Sequence, residues 1–68
     1  MDFGKTLSRV QEKRGVRSAE LARRLGVSRQ TINYIASRKD AKVSTLLKCC
    51  DALGVSYQTF MREGMRNE

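Results

Sequence analysis

The sequence predicts an all-α fold, a compact bundle of about five short helices. Three observations predict it. No proline interrupts the 68 residues. Apolar residues recur at intervals of three and four, and no alternating run of strand type occurs. Glycines stand directly after the apolar runs, at Gly15, Gly26 and Gly54, where helices commonly stop.

Each element follows in order. Phe3, Leu7 and Val10, with the stem of Arg14, fall on one face of a first helix that ends near Gly15. Ser18 is the expected N-cap of a second helix running to Leu25, with Leu21, Ala22 and Leu25 on its inner face. Gly26 closes it, because glycine enters the left-handed conformation without a β-carbon penalty. Ser28 caps a third helix running to about Ser37, with Ile32 and Ile35 inward. The loop "SRKDAK" follows, and Asp40 is a candidate cap for the fourth helix. Val43, Leu46, Cys50 and Leu53 repeat at i, i+3, i+7 and i+10, with Leu47 and Cys49 widening the stripe. Ser56 caps a last short helix whose apolar members are Tyr57, Phe60 and Met61. The domain is expected over residues 1–64, with 65–68 a frayed tail. There is no internal repeat, linker or low-complexity segment.

A hydrophobic content of 40% allows one domain with a small core. Such a core leaves roughly 3–5 kcal/mol of net stability, so oligomerisation is a natural expectation. The net charge is +7 and uneven: residues 1–40 hold ten Lys and Arg against four Asp and Glu. A positive half on so small a domain suggests a polyanion, usually nucleic acid; the plain alternative is a solvated basic surface. No run approaches the roughly 18 apolar residues of a membrane span. Met1 to Val10 lacks the apolar stretch of a signal peptide. A soluble cytoplasmic protein is expected, with no membrane partner.

Composition also argues against catalysis. The chain has no histidine, the commonest general base and metal ligand. Cys49 and Cys50 are adjacent and alone, so a four-ligand zinc site cannot form; they are expected as small buried thiols. No glycine-rich phosphate loop is present. No enzyme activity, cofactor, metal or small-molecule ligand is expected. Glu12 and Glu20 read as surface charges, each able to pair with a nearby arginine.

The second and third helices together read "SAELARRLGVSRQTINYIAS". Two helices that cross steeply need a small residue at the crossing, which Ala22 supplies. Gly26 supplies the turn, Val27 is expected to plug the corner, and the two isoleucines anchor the third helix from beneath. The set resembles the helix-turn-helix of the lambda-repressor/Cro-like family, also called the XRE family. The resemblance covers roughly Phe3 to Gly64 and includes "STLLKCCDALGVSYQTFM", similar to the fourth and fifth helices of that family.

That resemblance implies a recognition helix over Ser28 to Ser37, lying in the DNA major groove. Reading base edges takes donors and acceptors, so Arg29, Gln30, Asn33 and Tyr34 are the implied base contacts. Arg29 suits guanine, Gln30 and Asn33 suit adenine, and Tyr34 suits a thymine methyl or a phosphate. The implied phosphate contacts are Arg17, Ser18, Ser28, Ser37, Arg38, Lys39 and Lys42. Arg23 and Arg24 are weaker candidates that could merely solvate the outer face. Three departures from the family pattern stand out. Serine occupies position 18 where glutamine is frequent, Arg38 stands where a glycine commonly ends the recognition helix, and no proline precedes the fourth helix, whose loop is about one residue short.

The resemblance further implies a sequence-specific transcriptional regulator of double-stranded DNA, a small phage or bacterial repressor binding a palindromic operator as a homodimer. Leu47, Tyr57 and Met61 are the surplus apolar residues expected at the dimer seam. An antitoxin or restriction–modification controller that represses its own operon would share this chemistry. A protein-interaction module on the same fold is the rival of a different class. Structured RNA is disfavoured for want of an exposed aromatic stacking pair.

Overall fold

The computed structural model of the chain describes residues 1–66. It holds five helices: α1 (Phe3–Arg14), α2 (Ser18–Leu25), α3 (Arg29–Ala36), α4 (Val43–Leu53) and α5 (Tyr57–Arg66), with no strand among the described residues. None is long and apolar enough to cross a membrane.

The ends of α1, α2 and α4 are built alike. Each stops at a left-handed glycine, Gly15, Gly26 and Gly54, with φ of 67°, 70° and 71°. In each the glycine is followed by valine, whose N–H reaches back into the last turn: Val16 to the Gln11 carbonyl at 2.9 Å, Val27 to Ala22 and Val55 to Cys50 at 3.0 Å. This satisfies carbonyls that the helix itself leaves open. The same tripeptide logic therefore turns the chain three times.

The apolar stripes meet largely where their spacing places them, but Val43, expected to open the α4 stripe, is 64% exposed, and Tyr57 of α5 is exposed as well. Phe3, Leu7 and Val10 of α1, Leu21 and Ala22 of α2, Ile32 of α3, Leu46, Cys49, Cys50 and Leu53 of α4, and Phe60 of α5 form one buried cluster. The Phe3 and Phe60 rings pack at a centroid distance of 5.8 Å. Helix α1 packs against α3, α4 and α5, and α2 packs against α3 and α4. The carbonyl end of α4 receives two arginines from other helices. Arg14 Nε donates to Leu53 O at 3.2 Å and Arg24 Nη1 donates to Ala52 O at 2.7 Å. Cations suit that end of a helix because its dipole is negative there.

The start of α1 is tied to the segment after α3. Asp2 caps α1 by accepting from the Lys5 N–H at 3.0 Å. Two further first-turn donors find loop carbonyls: Phe3 N–H to Lys39 O and Gly4 N–H to Arg38 O, both at 2.8 Å. Backbones approach closely here only because residue 4 lacks a side chain. A β-carbon on Gly4 would lie 1.9 Å from Ala36 O and 2.9 Å from Arg38 O.

Several expectations need correction. Ser18 is not the cap of α2; the N-cap is Arg17, which makes no side-chain capping bond. The Ser18 hydroxyl instead accepts from the buried Gln11 amide at 3.4 Å, which also donates to Val16 O at 3.2 Å. A buried amide must find partners, and this one claims the serine. Asp40 does not cap α4, which starts at Val43 with Lys42 at the cap position. Asp40 lies two residues before the cap position. Val27 does not plug the corner but is 41% exposed. It borders a cleft of about 210 Å³ whose other lining residues include Leu25, Ile32, Ile35 and Cys49. Ile35 is half-buried against the core rather than fully enclosed like Ile32. Helix α5 runs to Arg66, and residues 67 and 68, part of the tail expected over 65–68, lie outside the described residues.

Candidate nucleic-acid interface

The candidate surface starts with the α2–α3 corner. Ala22 is buried where α2 meets α3, and Gly26 reverses the chain just beyond it. Ser28 then caps α3, its hydroxyl oxygen accepting from the Thr31 N–H at 3.1 Å and lying 3.0 Å from the Thr31 hydroxyl. A capped start fixes the first turn, the part of a recognition helix nearest the bases.

Helix α3 has one committed face. Ile32 is 0% exposed and Ile35 packs against the same core. Arg29, Gln30 and Asn33 lie on the other side, exposed. No hydrogen bond or ion pair to their side chains occurs among the described residues. Tyr34 is 60% exposed, yet its hydroxyl accepts from Arg38 Nη1 at 3.0 Å. The Arg38 guanidinium carbon also sits 5.6 Å from the Tyr34 ring centroid.

The expected phosphate contacts divide into two groups. Arg17, Lys39 and Lys42 are exposed, with no side-chain partner among the described residues. Arg17 and Lys42 stand at the starts of α2 and α4, the two helices without a side-chain cap; Asp2, Ser28 and Ser56 cap the others. Open first-turn N–H groups beside a cation favour an anion. Ser28 and Ser37 are engaged locally, Ser37 by donating to Tyr34 O at 2.6 Å. Ser18 is half-buried against Gln11. Arg38 stands where a glycine was the familiar stop, but without left-handed backbone: Ser37 ends α3 at φ −89°, and no non-glycine residue among the described residues has positive φ.

A family model described as helix-turn-helix matches residues 7–60. The chain is a helix-turn-helix protein of the lambda-repressor-like, or XRE, family. No curated protein matches it significantly. The family is DNA-binding and non-enzymatic, so the exposed polar face of α3 belongs to a DNA-binding regulator.

Within this helix-turn-helix protein the remaining candidates fall as follows. Arg23 and Arg24 both bind Glu20, and Arg24 also holds the end of α4. They are occupied inside the protein. Leu47 and Tyr57 are 47% and 44% exposed, whereas Met61 packs partly against the core. Cys49 and Cys50 are buried and free, and burial pushes the Cys49 thiol up to about 11. On α5, the Lys13 ammonium donates to Glu63 at 2.6 Å and holds its carboxyl below the usual carboxylate range.

Three residues that position the site were missed in the sequence. Gly4 lies inside an otherwise helical run, and an isolated glycine there is itself a sign of close packing. Gln11 braces the entry to α2, and Arg14 clamps α4; neither carries a local signal, because their partners are far along the chain or fixed only by the fold.

Proposed function

We propose that this helix-turn-helix protein is a sequence-specific transcriptional repressor of phage or bacterial origin, acting in the cytoplasm or nucleoid. It binds a palindromic operator as a homodimer, with half-sites roughly 34 Å apart, and occludes the promoter. The observation that carries this reading is the outward row of Arg29, Gln30 and Asn33 above a fully buried Ile32. Exposed forks without internal partners keep their full hydrogen-bonding capacity for base edges. Arg17, Lys39 and Lys42 supply cations for the phosphate strands on either side. Leu47 and Tyr57 are exposed apolar residues suited to a seam between copies. Autoregulation as an antitoxin or restriction–modification controller would use the same surface.

Selection of binding sites from random duplex DNA tests the reading. A palindromic consensus is expected. Gln30→Ala then relaxes one position and weakens binding there by about 1–3 kcal/mol. Lys39→Ala weakens all sequences alike and lowers the salt slope by about 1. The absence of any consensus would favour a protein-interaction role.

A further inference from the structure

We propose that Tyr34 is a positioning residue that presets Arg38 as a phosphate clamp, rather than a reader of bases. The proposal rests on the DNA-binding reading above and goes beyond it by assigning Tyr34 a function through a second side chain.

Arg38 is exposed, and exposed arginines ordinarily sample many rotamers. In Arg38 the backbone is fixed at two points and the side chain at a third. Its N–H donates to Ile35 O at 3.2 Å, and its carbonyl accepts from the Gly4 N–H at 2.8 Å. Its guanidinium donates to the Tyr34 hydroxyl at 3.0 Å and lies toward the face of the same ring. No carboxylate pairs with it among the described residues. A cation held without being neutralised keeps its charge for a ligand and has already lost most of its freedom. Binding an anion then costs less ordering than it would for a mobile side chain.

The same contacts limit what Tyr34 can do elsewhere. Its oxygen already accepts one hydrogen bond, and the guanidinium carbon lies 5.6 Å from its ring centroid. The Tyr34 carbonyl accepts from Ser37, which fixes the turn that carries Arg38. Arg38 lies just past the end of α3, and the anchoring of its carbonyl on α1 brings its side chain back to Tyr34. The ligand is a DNA phosphate beside the C-terminal end of α3.

The test compares the wild-type chain with Tyr34→Phe, Arg38→Ala and the double variant. The probes are the duplex selected by the wild type and a scrambled duplex of equal length. Tyr34→Phe is expected to weaken both duplexes alike, by about 5-fold, without changing the selected consensus. In the Arg38→Ala background it is expected to have no further effect. Thermal unfolding of each variant should match wild type, since both side chains are exposed. A consensus altered at one position by Tyr34→Phe, or a loss that persists in full without Arg38, overturns the proposal. Coupled weakening on scrambled DNA with no wild-type consensus would sink the repressor reading and leave the clamp standing. No binding to either duplex sinks both.

Discussion

Replacing Gly4 by alanine sets two physical rules against each other. Gly4 is the second residue of α1, and an exposed helical glycine changed to alanine gains roughly 0.5–1 kcal/mol. Here the new β-carbon would meet Ala36 O at 1.9 Å, Ala36 C at 2.6 Å and Arg38 O at 2.9 Å. All three are backbone atoms, so no rotamer change relieves them. Reaching ordinary contact requires the two segments to part by about 1.5 Å. That movement opens the bonds from Phe3 N–H to Lys39 O and Gly4 N–H to Arg38 O, each contributing about 1 kcal/mol. It also pulls on the fully buried Phe3 ring, and such overpacking costs typically 1–3 kcal/mol. The sum, roughly 2–5 kcal/mol, rivals the whole net stability expected of so small a domain. Urea denaturation followed by far-ultraviolet circular dichroism measures it. Gly15→Ala is the control: nothing lies within 4 Å of that β-carbon, so only the left-handed backbone penalty of about 1–2 kcal/mol remains. A Gly4→Ala midpoint equal to or above wild type would refute the close-approach argument.

Further outcomes follow from single contacts. Ser28→Ala should destabilise the fold by about 1 kcal/mol in urea, because it uncaps α3, while Ser18→Ala should change less, because Ser18 caps nothing. Glu63 is held acidic by Lys13, with Arg66 3.5 Å away, so its folded pKa lies below its unfolded value. Its contribution is present above about pH 4.3 and disappears as pH falls through the folded value; acid titration of Glu63→Gln should lack that limb. Cys49 shows the opposite sign: its folded pKa of about 11 exceeds the unfolded value near 8.5, so stability falls as pH rises between them. Urea midpoints at increasing pH should decline less steeply for Cys49→Ala than for wild type.

The parts of the fold that were legible in the sequence are those decided locally. Gly15, Gly26 and Gly54 ended helices, and Ser28 and Ser56 began them, because both signals act within one turn. The inward spacing of Phe3, Leu7, Ile32, Leu46 and Phe60 was equally plain. Ser18 and Asp40 are capping residue types as well, yet neither caps. The Gln11 amide, reaching across the Gly15 turn, takes the first, and the second stands two residues ahead of the α4 cap position. Val27 follows its glycine just as Val16 and Val55 do, but only those two turn inward. The same dipeptide faces different neighbours, and the neighbours decide burial. At the candidate site, the polar row of α3 could be read from its period against the isoleucines. The hold of Arg38 on Tyr34 could not, since it depends on where the segment after α3 is anchored.

The ion pairs on Glu20 and Glu63 have a consequence for how this molecule's charge is felt. From far away a polyanion responds to the full excess of +7. At contact, Lys13, Arg23, Arg24 and Arg66 are already paired with carboxylates inside the molecule. They cannot displace condensed counterions from a duplex without first letting go of those partners. Attraction at long range and ion exchange on docking are therefore carried by different subsets of the same basic residues.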